Sequence, residues 1–420
     1  MTTSSPIQAP RYLRIVLTVF LPFAGGYFIS YFFRSVNAII APNLVADIGL
    51  SAADLGLATA AYFLSFALFQ LPLGILLDRF GPPKVQAVLL LTAALGAFVF
   101  AWGDTMTTLI IGRALIGLGV AGGLMSAFKA IVLWFPRDRL PLINSVFMAF
   151  GGLGALSATA PVEAALGITD WRGVYIAIGI AATLVALLIY FVTPEKPRTE
   201  PVQPVADLIK SLGVIYTDRV FWRVAPAAFC SAAAGLALQT LWIGPWLRDV
   251  AGASRGDIAG HLFITALCLT IGFVMQGLIA DLVFRKWRIP PQTVMITGMI
   301  VFVCIQSGLI MELTWMSYFL WAVFGLVSNF SALGFAVLSQ HFPQSLSARG
   351  NSAMNVLVFL FAFGAQYAVG AIIDLYPKTA SGGYQPEAFQ VAFGAIAILQ
   401  VAAIIWYFVS GRLAATAPKV

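Results

Sequence analysis

The chain has 420 residues, of which 60% are apolar and 10% charged, with a formal net charge of +7. Soluble domains carry about 25% charged residues, so this composition excludes a soluble enzyme and points to a surface that faces lipid. The basic excess follows a membrane topology, set out below, and calls for no nucleic-acid partner.

Met1 to Pro10 is polar and uncharged and leads through Arg11 and Arg14 into a long apolar run. That run is too long for a signal-peptide core and no small-residue cleavage site follows it, so it is expected to remain as a first helix. Twelve spans are predicted in all, at 15–41, 54–77, 84–102, 107–133, 140–166, 171–193, 222–247, 257–281, 290–311, 315–340, 350–373 and 387–409. Each is near the roughly 20 residues that cross a hydrocarbon core of about 30 Å. In lipid the backbone must satisfy its own hydrogen bonds, so these runs are helices. The alternating pattern of an outer-membrane barrel is absent. The longest polar interruption, 194–221, carries Pro194, Pro197, Pro201 and Pro204 and divides the spans six and six. The expected fold is an all-α membrane protein of twelve transmembrane helices in two six-helix pseudo-symmetric bundles, 1–193 and 222–420, joined by a cytoplasmic linker. Cys230, Cys268 and Cys304 lie inside apolar runs and offer neither a disulfide framework nor a metal spacing.

Loop charge sets the orientation. With a cytoplasmic N-terminus, cytoplasmic segments hold 17 of the 24 Lys and Arg, among them Arg79, Lys84, Arg137, Arg139, Lys196, Arg198, Arg285, Lys286, Arg288 and Arg349. Outside loops hold four: Arg172, Arg248, Arg255 and Lys378. The positive-inside rule therefore places both termini in the cytoplasm, with the protein in a plasma membrane, the inner membrane of a bacterium. The halves also repeat. Gly74-Ile75-Leu76-Leu77-Asp78 recurs as Gly277-Leu278-Ile279-Ala280-Asp281, and Phe135-Pro136 with Asn144-Ser145 recurs as Phe342-Pro343 with Asn351-Ser352, at offsets of 203 and 207. Duplicated six-helix halves place a solute site between them, near the bilayer midplane.

The segment Gly74-Ile75-Leu76-Leu77-Asp78-Arg79-Phe80-Gly81-Pro82-Pro83-Lys84 resembles the loop between helices 2 and 3 of the major facilitator superfamily. The resemblance extends over essentially the whole chain. It implies that Gly74, Asp78, Arg79, Gly81 and Lys84, with Asp281 in the second copy, form a latch at the cytoplasmic ends of the halves in the outward-open state. The copy has Phe284-Arg285-Lys286-Trp287 in place of the glycine turn. Arg113-Ala114-Leu115-Ile116-Gly117-Leu118-Gly119 is similar to the family's second motif, and Asp170-Trp171-Arg172 is also common in the family. The antiporter signature of drug exporters is not matched: Gly151, Gly152 and Gly154 are present, but Pro161 has no glycine before it.

Three cations lie inside spans, where an ionisable group is costly and functional by default: Arg34, Arg113 and Lys129. Helical periodicity puts Tyr27, Tyr31 and Arg34 on one face of span 1, with Asn37 on its flank. Two phenols and a guanidinium suit an anion, because guanidinium binds carboxylate or phosphate through two parallel hydrogen bonds. The bland alternative is an arginine tied to carbonyls of a kinked helix. Lys129 either contacts substrate or snorkels to the cytoplasmic end of span 4, about 8 Å away. Arg113 is expected to hold span 4 to its neighbours, with a coupling role as the alternative. The span 1 arginine and span 4 cation resemble those of the organophosphate:phosphate antiporters and the organic-anion symporters. The exchangers' second arginine in span 7 is missing from Leu236-Ala237-Leu238-Gln239-Thr240-Leu241-Trp242, which favours a carboxylate over a phosphate.

Gln239, Trp242, Asn329 and Asn355 are the candidates for holding the substrate body, each equally readable as helix–helix glue. Proton coupling needs an acid in the path, and Glu163 in span 5 is the candidate. The expected function is secondary active transport of a small organic anion by alternating access, with a proton as co-ion. An exporter of drug-like or siderophore-like compounds is the alternative. No nucleophile motif or nucleotide loop occurs, so no enzyme, metal or cofactor is expected. A monomer that binds a small molecule is expected, with lipid around it.

Overall fold

A computed structural model describes residues 9–136, 139–196, 205–380 and 382–416, and every regular element among them is helical. Pro197, Pro201 and Pro204 of the expected linker lie outside the described residues, as do Arg137, Arg198 and the first eight positions. Among the described residues, twelve helices are long and apolar enough to cross a membrane. They are α1 (Tyr12–Ser35), α2 (Ala52–Phe80), α3 (Pro82–Ala101), α4 (Met106–Trp134), α5 (Leu142–Ala165), α6 (Trp171–Val192), α7 (Arg219–Asp249), α8 (Arg255–Trp287), α9 (Pro291–Ile310), α10 (Thr314–His341), α11 (Arg349–Ile373) and α12 (Pro386–Gly411). Two shorter helices add to these. Asn37–Ile48 continues α1 after a break at Val36, and Val205–Thr217 lies in the segment expected as linker.

Helix starts follow local chemistry. Ser51 and Asp54 form a reciprocal capping box at α2, Thr105 and Thr108 another at α4, and Asp170 and Asp218 cap α6 and α7. Gly81, at φ +80°, makes the α2–α3 turn that a side chain would strain, and Pro82 then opens α3. The second copy lacks that glycine, and Arg288 is forced to φ +56° before α9. In the N-terminal half, a Cβ on Gly117 would sit 2.2 Å from the Tyr62 carbonyl oxygen, and one on Gly119 would sit 2.3 Å from the Ala93 nitrogen. These glycines let α4 touch α2 and α3 backbone to backbone.

The helix Val205–Thr217 and the α2–α3 and α8–α9 turns share one end of the bundle, here the linker end. Contacts between the halves gather toward the opposite, far end. Asp374 accepts from the Ala52 and Ala53 N–H groups at 2.9 and 2.7 Å. Arg255 Nε lies 3.1 Å from Glu163 and its Nη2 lies 3.0 Å from Asn43. α2 and α11 approach through glycine: a Cβ on Gly370 would meet the Ala52 carbonyl at 2.3 Å. Midway along, Phe66 stacks on Phe359 at 4.1 Å between centroids. At the linker end, the ion pairs shown among the described residues stay within one half: Lys129 with Asp78, Lys84 with Glu195, and Arg285 with Asp281. Among the described residues, nothing outside the helix's own backbone and adjacent residues lies within 4 Å of a Cβ placed on Gly74 or Gly277. The halves are joined at the far end and parted at the linker end.

Candidate functional site

Pro42 has no N–H, so it leaves the Ala38 carbonyl without its helical partner. Gly244 of α7 comes up to that oxygen, where a Cβ would lie 2.6 Å away. Just below the break at Val36, Tyr31 and Arg34 face an open cavity between the halves, about 550 Å³ with the open solvent in it included. Its other walls come from α7 (Ala232, Gly235, Leu236, Gln239), α8 (Leu269, Phe273) and α10 (Ser328, Asn329, Ser331, Ala332, Phe335). Two of these walls are irregular. Leu238–Trp242 is a π-helical turn in α7, and Asn329–Ala332 is a 3-10 turn in α10. Such turns swing side chains off the regular helical face.

Arg34 sits in an aromatic cage. Its guanidinium carbon lies 4.7 Å from the Tyr31 ring centroid, 5.5 Å from Phe66 and 5.4 Å from Phe359. The Nε lies 3.5 Å from the Tyr62 hydroxyl. Among the described residues no carboxylate lies within ion-pair distance of it. Rings hold a cation in place without neutralising it, so the charge stays available to the cavity. Gln239 is half-buried at the π-helical turn, and its amide has no partner among the described residues. The Asn329 amide donates to the Leu269 carbonyl at 3.3 Å, which leaves its own oxygen free to accept.

The other sequence candidates go elsewhere. Tyr27 is buried, stacked on Phe147 at 4.8 Å. Asn37 is buried in a chain: it donates to Thr59 at 2.9 Å and accepts from the Tyr175 hydroxyl at 2.9 Å. Arg113 completes that chain, donating through Nη1 to the Phe33 carbonyl at 3.1 Å and to Tyr175 at 3.3 Å. It is 1% exposed and lies behind Tyr62, away from the cavity. Trp242 is fully buried, and with the Gln366 amide turned to suit both neighbours its Nε1 donates to Gln366 at 3.1 Å. Lys129 does not reach Arg34; it pairs with Asp78. Asn355 is half-buried and outside the cavity lining. Glu163 lines a smaller space at the far end with Arg255, Pro42 and Gly244. The Asp170-Trp171-Arg172 run ties the far ends together, because Trp171 donates to Asp47 at 2.7 Å and Arg172 pairs with Asp104 at 2.7 Å.

Sequence reasoning missed Tyr62, Phe66 and Phe359, which complete the cage. A tyrosine in an apolar span was the one local signal; the two phenylalanines look like any lipid-facing ring until α2 and α11 are packed.

A sequence model of the Major Facilitator Superfamily matches residues 23–365. The probable sulfoacetate transporter of Cupriavidus necator is 22% identical over 275 residues, 62% of this chain and 64% of that protein. The chain thus spans less than two thirds of the length of that relative. The probable galactarate/D-glucarate transporter of Bacillus subtilis is 23% identical over 407 residues, covering 88% of this chain and 87% of that one. A solved bacterial homolog to the human lysosomal transporter Spinster, inward-facing and unoccupied, matches with a TM-score of 0.79 at 16% identity. It covers 97% of this chain and 98% of its own, and at that identity the likeness speaks for the fold.

Proposed function

Because this chain belongs to the Major Facilitator Superfamily, we propose that it is a secondary transporter that carries a small organic anion, a carboxylate rather than a phosphate, through a membrane by alternating access. The observation that carries this reading is Arg34. It is a cation at bilayer depth, facing a cavity between the halves, held by rings and by no carboxylate among the described residues. An uncompensated charge there is costly to maintain and is relieved when an anion enters. The relatives named as sulfoacetate and galactarate/D-glucarate transporters support the same substrate class.

In this reading Tyr31, Arg34, Gln239 and Asn329 contact the substrate. The halves, 1–193 and 222–420, rock about them, with the linker end in the cytoplasm of a bacterium and the present state open to that side. Asp78, Arg79, Lys84 and Asp281 re-pair across the linker end in the opposite state. Glu163 carries the co-transported proton: once protonated it releases Arg255, so proton binding and opening of the far end are one event.

Uptake into proteoliposomes tests this, using labelled carboxylates, sugar phosphates and cationic drugs. A carboxylate is expected to accumulate, faster with an acid exterior, and Arg34→Ala should cut that rate at least tenfold. Phosphate exchange, or drug flux untouched by Arg34→Ala, would sink the reading.

A further inference from the structure

The walls opposite Arg34 narrow the substrate further. We propose that the cavity selects a monocarboxylate with a largely apolar body over dicarboxylates and polyhydroxylated sugar acids. This rests on the organic-anion reading of the same site.

Charge is the first argument. Among the described lining residues Arg34 is the one charged group. Lys129 is neutralised by Asp78, and Arg113, which has no carboxylate partner among the described residues, lies buried behind Tyr62 and does not line the cavity. One guanidinium neutralises one carboxylate. A second carboxylate would leave water without a counter-charge, which opposes binding strongly.

The polar atoms give the second argument, independent of charge. The Ser328 hydroxyl donates to the Gly325 carbonyl and the Ser331 hydroxyl to the Ser328 carbonyl, both at 3.3 Å. The Asn329 amide gives one of its two N–H groups to Leu269. What remains for a ligand is the Gln239 amide, the Asn329 oxygen and its second N–H, the Tyr31 hydroxyl and the lone pairs of the two serine oxygens, fewer groups than the four hydroxyls and two carboxylates of a sugar diacid require. The rest of the wall is apolar, chiefly Leu236, Leu269, Phe273 and Phe335. The hydroxyls of a sugar acid facing those side chains would lose water and gain no partner. An apolar ring or branched chain loses nothing there and buries its surface.

Thermal-shift titrations of the purified chain in detergent, at constant ionic strength, compare phenylacetate, glucarate and galacturonate. Phenylacetate is expected to stabilise saturably, with an apparent Kd at least tenfold below either sugar acid, and the shift should vanish in Arg34→Ala. Gln239→Arg places a second cation in the cavity and should raise the glucarate-to-phenylacetate affinity ratio at least tenfold. The wild-type comparison decides even where that variant does not fold. Sugar acids binding as tightly as phenylacetate, and only with Arg34 present, overturn the monocarboxylate class and leave the organic-anion reading standing. Phenylacetate stabilising Arg34→Ala as well as wild type overturns both. No saturable shift with phenylacetate also overturns the proposal.

Discussion

Two arginines in the N-terminal half lie in opposite environments, and the difference decides what each can do. Arg113 is buried, with Nη1 donating to the Phe33 carbonyl and to Tyr175, and Tyr175 passes the chain on to Asn37 and Thr59. Tyr175→Phe removes the hydroxyl that links Arg113 to Asn37, so it should cost about 1–3 kcal/mol of stability, read as a lowered Tm in detergent. Arg34 has rings around it and an open face, so its loss should appear in substrate affinity more than in Tm. Lys129→Ala should leave apparent substrate affinity within about twofold, because Lys129 and Asp78 form a partly exposed pair, a kind worth about 0–1 kcal/mol. Transport kinetics of the two alanine variants, measured side by side, check this contrast. The sequence made both Arg34 and Lys129 visible as charges within spans. It could not show that the nearest acid, Asp78, lies beside one and not the other, since that depends on how α2 and α4 are rotated.

At the scale of helices, glycine sets how closely backbones approach, and the cost of adding a methyl depends on what lies opposite. Gly117 faces the Tyr62 carbonyl inside one half, whereas Gly370 faces the Ala52 carbonyl across the two. Gly117→Ala should therefore lower Tm, by about 1–3 kcal/mol of overpacking. Gly370→Ala should leave Tm nearly unchanged and instead open the far end, seen as faster labelling of a cysteine placed at Ala53. Equal Tm losses for the two would contradict the division into halves. Spans and the α2–α3 turn were readable because hydropathy and Gly81 are local signals. The helix Val205–Thr217 was hidden by the prolines that precede it, although Val205, Leu208, Ile209, Leu212 and Ile215 repeat at helical spacing; it docks on the second half through Tyr216 Oη and the Ala353 carbonyl at 3.1 Å. The break at Val36 and the π-helical turn at Gln239 had no such signal, since both depend on the packing of one half against the other.

For the whole molecule, the closed far end combines glycine-mediated packing of α2 on α11 and of α7 on the segment after α1 with a few polar contacts between the halves. Breaking them should shift the population toward a far-end-open state rather than unfold the chain. Arg255→Glu sets two acids against each other at Glu163, and combining it with Glu163→Arg restores an attractive pair. Spin-label distances across the far end should lengthen in the single variant and return in the double; no recovery would mean that Arg255 acts through Asn43 alone. Asp374→Ala removes the acceptor at the start of α2 and should shift the same equilibrium by about 1 kcal/mol, roughly fivefold. The room beside Gly74 and Gly277 belongs to this balance too. A compound lodged there would keep the linker ends from meeting while leaving Arg34 free to bind. Its inhibition would therefore be noncompetitive, and no excess of the transported anion would reverse it.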